Sequence, residues 1–85
     1  MAASSKRFVY MIRSLKDPKR AYVGLTSDVQ NRLASHNAGR STHTATHNPW
    51  ELVVAIEFAD EARAIAFEKY LKSGSGRAFS ARHFS

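Results

Sequence analysis

Short apolar runs and polar-apolar helical stretches alternate along this chain. Phe8-Val9-Tyr10-Met11-Ile12 and Ala21-Tyr22-Val23-Gly24-Leu25 are β-prone. The polar segment from Ser14 to Arg20, which contains Pro18, predicts a hairpin loop between them. Side chains alternate along a strand, so Phe8, Tyr10 and Ile12 share one face of the first run, opposite Val9 and Met11. Tyr22 and Gly24 share a face of the second, and the two tyrosines can meet across the hairpin where the register aligns them. Ser27-Asp28-Val29-Gln30 has the Ser-x-x-Gln pattern of a capping box and predicts a helix starting there. Val29 and Leu33 form its apolar edge, Arg32 and His36 project together from another side, and Asn37 to Gly39 provide the stop. Residues 38–49 are rich in Gly, Ser, Thr, His and Asn and end in Asn48-Pro49, which reads as an exposed loop placed to contact a substrate.

The run from Trp50 to Phe58 is the strongest strand, and its unbroken apolar stretch from Leu52 to Ile56 predicts that both faces of its middle are covered. Asp60 is the expected cap of a second helix reaching about Lys72, with Ala64, Ala66, Phe67, Tyr70 and Leu71 on its apolar side. Glu61, Glu68 and Lys72 then cluster away from that side. Ser73-Gly74-Ser75-Gly76 reads as the stop. In the tail, Arg77-Ala78-Phe79-Ser80-Ala81-Arg82-His83-Phe84, bases and aromatics interleave. Such a segment either docks on the core or contacts phosphates and bases, and Trp50, Phe79 and Phe84 stand between the same two roles. The expected order is strand, strand, helix, strand, helix.

Length and charge narrow the class. Eighty-five residues bury only a little over roughly 60% of the surface the unfolded chain exposes, which allows one domain, placed at 6–84 after a flexible N-terminus at 1–5. Thirteen Lys and Arg against seven Asp and Glu give a net charge of +6, the balance of a domain that meets nucleic acid or an anionic membrane. The charge is segmented: residues 1–47 carry eight bases and two acids, 48–68 one base and five acids, and 69–85 four bases and no acid. If the two basic ends flank one groove, they can track phosphates while the acidic middle supplies a metal ligand. Arg13, Arg40, Lys72, Arg77 and Arg82 are the expected nucleic-acid contacts. The chain has no Cys, hence no thiolate zinc site, and its first residues lack the apolar run of a signal peptide, which points to a reduced cytoplasmic compartment. No apolar stretch approaches the roughly 20 residues needed to span a bilayer, so no membrane partner is expected.

Taken singly, the candidate site residues have bland readings. Glu68 and Lys72 are i, i+4 and could form an exposed helix ion pair, as could Arg32 with Asp28. Tyr10 and Tyr22 could be ordinary sheet tyrosines. His43 and His47 have a spacing seen in metal sites, but in a Thr-rich loop without Cys they read as solvent-exposed, and zinc is disfavoured.

Together these residues carry a resemblance over nearly the whole chain. Phe8-Val9-Tyr10 and Tyr22-Val23-Gly24 stand as two signature tripeptides, followed by Thr26, Arg32-Leu33, His36-Asn37, Pro49-Trp50-Glu51-Leu52-Val53 and Glu68-Lys69-Tyr70-Leu71-Lys72. In this order and spacing the chain resembles the GIY-YIG nuclease superfamily, and most closely its small single-domain members related to the nuclease domain of the bacterial excision-repair incision protein. The resemblance implies an α+β fold, a three-stranded antiparallel sheet flanked by helices. It also implies divalent-metal-dependent cleavage of phosphodiesters in DNA, whether single-stranded, duplex or branched, with RNA a second candidate. By the same resemblance Glu68 binds one Mg²⁺ or Mn²⁺ and Arg32 stabilises the scissile phosphate. Tyr22 accepts the proton of the attacking water, Tyr10 positions water or phosphate, and His36 is an auxiliary contact or proton shuttle. Phe8 replaces the first glycine of the pattern, Leu25 stands where the excision-repair branch has a basic residue, and Ser73, Ser75 or Ser80 would have to replace a late asparagine. The alternative class is a non-catalytic nucleic-acid-binding module using the same basic face.

Overall fold

In a computed structural model, which describes residues 5–84, the chain folds in the order β1 (Phe8–Ser14), β2 (Ala21–Thr26), α1 (Val29–Asn37), a single 3-10 turn (Ala45–His47), β3 (Trp50–Glu57), α2 (Glu61–Leu71) and α3 (Gly74–His83). The three strands form one antiparallel sheet in the order β2-β1-β3, the α+β architecture expected. Of the N-terminal residues expected to be flexible, 1–4 lie outside the described residues. Among the described residues no helix is long and apolar enough to cross a membrane.

β1 is central because its alternation supplies both faces with large side chains. Tyr10 and Ile12 join Trp50, Tyr22 and Leu33 on the α1 side, while Val9 joins Ala64 and Leu71 with Val23, Leu25, Phe58, Phe67, Phe79 and Phe84 on the other. Val9, Tyr10, Met11 and Ile12 are all buried, and each large apolar side chain so buried stabilises the fold by roughly 1.5–3 kcal/mol before entropic losses. The strand with the longest apolar run is instead an edge. The expectation that both faces of β3 are covered fails because α2, the helix that follows it, packs over β1 and β2, leaving Leu52 38% exposed and Ala55 open.

Ser14 closes the hairpin. Fully buried at the end of β1, its hydroxyl accepts from the backbone N–H of Lys16 and Asp17 at 3.1 and 2.9 Å and donates to the His47 carbonyl at 2.6 Å. The same hydroxyl thus shapes the turn and pins the segment before β3. The capping of α1 is displaced by one residue from the Ser27 box: Asp28 is the N-cap, its carboxylate accepting from the Asn31 N–H at 3.1 Å. Gly39, at φ +77°, takes the left-handed conformation that ends the helix, as expected. Asp60 caps α2 through the Arg63 N–H.

The Ser73-Gly74-Ser75-Gly76 stretch does more than stop α2. Ser73 accepts from the Gly76 N–H at 3.1 Å and N-caps α3, so the tail, to which the sequence pattern assigns no element, is a third helix. The two helices meet at buried Gly76, where a Cβ would overlap the Tyr70 carbonyl oxygen and approach Leu71 Cα to 2.5 Å. Glycine is required there for close approach. Phe79 then packs edge-on to Phe67 and Tyr70, which settles Phe79 and Phe84 as core-facing aromatics.

Gly76→Ala should therefore destabilise the protein by about 1–3 kcal/mol, the usual cost of overpacking, in a denaturant titration. Gly74→Ala, where a Cβ meets nothing within 4 Å, should stay close to wild type.

Candidate active site

The site grows from a register. Tyr10 pairs with Gly24 and Ile12 with Tyr22, so the tyrosines are diagonal neighbours on one face, with ring centroids 6.3 Å apart. Gly24 makes room for this: a Cβ there would fall 2.6 Å from the Tyr10 hydroxyl and 2.8 Å from Cζ. The glycine of the second tripeptide is thus the bed on which the tyrosine of the first lies.

The Tyr10 hydroxyl is 2.8 Å from His36 Nε2, and His36 Nδ1 is 2.7 Å from Thr44 Oγ1. All three residues are buried. Burial, and secondarily the Arg32 charge, lower the His36 pKa and keep the imidazole neutral. Burial also raises the Tyr10 pKa, although Arg32, within hydrogen-bonding reach, opposes it; the charges of Tyr22 and Glu68 reinforce the rise. A protonated phenol facing a neutral ring donates to Nε2, leaving Nδ1–H to donate to Thr44 Oγ1. Both ring nitrogens of His36 are therefore occupied within the chain. The expected role as a direct auxiliary contact does not fit a fully buried ring, which instead positions Tyr10.

Two features account for how polar residues reach this place. On α1, Val29, Arg32, Leu33 and His36 follow i, i+3, i+4, i+7 and form the inward stripe. On α2, Ala64, Phe67, Glu68 and Leu71 have the same spacing, and the Glu68 side chain is only 14% exposed. The α2 inward face is thus rotated from the expected one: Ala66 and Tyr70 are exposed, and Glu68 takes a core-stripe position. Arg32 makes no ion pair with Asp28, whose carboxylate caps the helix. Glu68 does pair with Lys72, at 2.5 Å.

The segment 38–49 supports the site from beneath. Thr44, the partner of His36, also accepts from Trp50 Nε1 through its carbonyl at 2.9 Å, and Asn37 exchanges hydrogen bonds with the Trp50 backbone. Trp50 is thereby core rather than a stacking surface. Gly24 and Thr44 are site residues not singled out from sequence; the Tyr-Val-Gly tripeptide signals the first, whereas no local pattern marks the second.

Tyr22 differs from Tyr10. Its ring stands edge-on to His36 with centroids 5.0 Å apart, it is half-buried, and it lines an open cleft together with Arg13, Lys72 and Arg77. Lys19 lines the cleft as well. Arg40, following α1, and Arg82, on α3, are exposed and do not line it. Glu68 is the carboxylate felt at Tyr10, and the described residues hold no group of three or more His, Cys, Asp or Glu arranged for a metal. One carboxylate suits a hard cation that keeps several waters and takes further oxygens from a phosphate, and does not suit zinc.

Comparison with known proteins agrees with this geometry. Residues 6–80 match the family described as the GIY-YIG catalytic domain. A structure-specific endonuclease subunit slx1 from Talaromyces marneffei is 37% identical over 65 residues, covering 69% of this chain and 17% of the relative. The SLX1 subunit of Candida dubliniensis is 31% identical over 84 residues, 91% of this chain and 28% of the relative. The UPF0213 protein SH2523 of Staphylococcus haemolyticus is 35% identical over 72 residues, 84% and 85% of the two chains. The chain thus spans a small fraction of the slx1 relatives and most of the UPF0213 protein. No solved structure gives a significant match. With its residues 6–80 matched and its paired tyrosines on adjacent strands, the chain belongs to the GIY-YIG catalytic-domain family.

Proposed function

We propose that this protein is a divalent-metal-dependent endonuclease that hydrolyses DNA phosphodiester bonds. The observation that carries the reading is the convergence on the Tyr10 hydroxyl of His36, the Arg32 guanidinium, the Tyr22 ring and the Glu68 charge. Relatives named as structure-specific endonuclease subunits supply the reaction class. The cations beside Tyr22 suit a polyanionic substrate.

Tyr22 is the proton acceptor from the attacking water. Its hydroxyl has no hydrogen-bond partner among the described residues and Tyr22 is one of the residues lining the cleft, whereas the Tyr10 hydroxyl is committed to His36 and held protonated by burial. A free phenol ionises near pH ~10, so a tyrosine serves as a base at neutral pH only beside positive charge, which a cation held at Glu68 would supply. Tyr10, buried over Gly24 with its hydroxyl held by His36, positions the water or phosphate oxygen through Tyr22, whose ring packs beside its own. Arg32 presents a fixed fork of donors to the phosphate as charge accumulates on its oxygens. Glu68 would hold Mg²⁺ or Mn²⁺, which when bound supplies charge stabilisation to the phosphate and the leaving oxygen. Lys72 is the present counter-ion of that carboxylate.

Purified protein should nick or degrade DNA in Mg²⁺ or Mn²⁺, and Glu68→Ala should remove cleavage while leaving DNA binding in EDTA intact. Wild-type protein inert on single-stranded, duplex and branched DNA in both metals would overturn the reading and leave the non-catalytic binding module. Tyr22→Phe should lower kcat by roughly 10²–10⁴-fold, the range for losing a general base. Tyr10→Phe should also cost about 1–3 kcal/mol of stability, because His36 Nε2 is left without a buried partner.

The neutral state of His36 has a pH signature. Its folded pKa lies below the ordinary 6.5, so as pH falls the unfolded chain takes up that proton first. The stabilisation is complete above the unfolded pKa and is lost as pH falls through the folded one. Melting temperature followed from about pH 7.5 to pH 5 should decline more steeply for wild type than for His36→Gln, which cannot titrate there. Equal slopes would show that the imidazole does not need to be neutral.

A further inference from the structure

The β1–β2 hairpin and α3 face one another across an open cleft of about 620 Å³, within the roughly 300–1,000 Å³ occupied by small ligands. Its floor is apolar, made by Met11, Val23 and Leu71, and its rim is cationic, made by Arg13, Lys19 and Arg77. Among the described residues no acidic side chain lines it, and none of those three cations is ion-paired with a carboxylate. Arg13 donates to the Phe84 carbonyl at 3.3 Å, which anchors its guanidinium while leaving other N–H groups for a ligand. Ser80 also lines the cleft, and among the described residues its hydroxyl is the buried side-chain oxygen without a hydrogen-bond partner.

A solvated basic patch would explain Lys19 and Arg77. It explains neither an apolar floor beneath them nor an unpartnered hydroxyl beside that floor. An apolar floor below converging cations matches the two halves of a nucleotide, a flat base and charged phosphates. A base within a duplex is stacked on both faces and cannot enter, so the occupant must be unpaired. Tyr22 lines the same cleft, which sets the bound strand against the proposed site of hydrolysis.

We propose that this cleft receives an unpaired nucleotide of the DNA strand next to the scissile phosphate, its base on Met11, Val23 and Leu71 and its flanking phosphates on Arg13, Lys19 and Arg77. The assignment rests on the endonuclease reading and narrows its substrate to single strands and to junctions where a duplex opens into one.

The test is binding in EDTA, where cleavage plays no part. The probes are a fluorescein-labelled ten-nucleotide oligothymidylate, the same strand with abasic residues, and a blunt duplex. Wild type should prefer the thymidine strand over the abasic one by about tenfold, the scale of one well-seated base. Ala81→Leu, which fills the cleft from an exposed position on α3, should abolish that preference and leave duplex affinity unchanged. The Lys19→Ala, Arg77→Ala double variant should lower the single-strand salt slope by about 0.7 for each phosphate no longer neutralised, with circular dichroism and melting confirming both variants folded. Equal affinity of wild type for thymidine and abasic strands, or equal weakening of strand and duplex by Ala81→Leu, would overturn the cleft assignment. An intact base preference in a wild-type protein that cleaves nothing in Mg²⁺ or Mn²⁺ would overturn the endonuclease reading instead.

Discussion

The buried chain from Tyr10 through His36 to Thr44 is the constraint on which the site depends. It joins the central strand, the inward stripe of α1 and the segment before β3 by two short hydrogen bonds among residues that water does not reach. Each partner removed would leave a buried polar atom unsatisfied at about 1–3 kcal/mol, so the three elements are locked into one relative position. That position also fixes the tyrosine pair. With the Tyr10 ring held over Gly24 and its hydroxyl turned to His36, Tyr22 is the tyrosine of the pair that lines the cleft.

A small domain with little apolar surface to spare nevertheless places an arginine, a histidine and a glutamate on the inward stripes of its helices. Such positions usually carry Leu or Ile, and charges there lose hydration. The arrangement is tolerable because the burial is graded. His36 is fully buried but neutral, whereas Arg32 is half-buried and Glu68 retains a cationic partner in Lys72. Glu68 comes from the helix on the opposite face of the sheet to α1, yet its charge is felt at Tyr10. The site thus draws on both layers of the fold.

Much of this was legible in the sequence. The strand runs, the Asp60 cap, the Gly39 stop and the ordered tyrosine motifs depend on local patterns, and these appear as expected. What failed depends on tertiary placement. The apolar run of β3 resembles a buried strand, but its burial is decided by which strand α2 covers. Ser73-Gly74-Ser75-Gly76 has the composition of a stop, and only the close contact of α3 with Tyr70 and Leu71 reveals a helix start. The segment 38–49 looks like an exposed loop because Thr44 is one threonine among several; nothing local distinguishes the one that meets a histidine eight residues earlier. Glu68 was nearer to being readable, since 64, 67, 68 and 71 have helical spacing and a carboxylate on that stripe conflicts with simple burial.

The segmentation of charge finds its meaning in the strand order. β2 and β3 are opposite edges of a three-stranded sheet. Glu51 and Glu57 on β3, with Asp60 and Glu61 just beyond, are exposed towards one edge, while the hairpin that leads into β2 and the basic α3 enclose the cleft on the other. The two basic ends of the chain therefore flank one groove, as their separation in sequence suggested, and the last acid of the middle segment, Glu68, is the one carried inward. The positive charge of the domain is thus concentrated at the cleft that Tyr22 lines, while on the β3 side Glu57 and Asp60 are paired with Arg7 and Arg63.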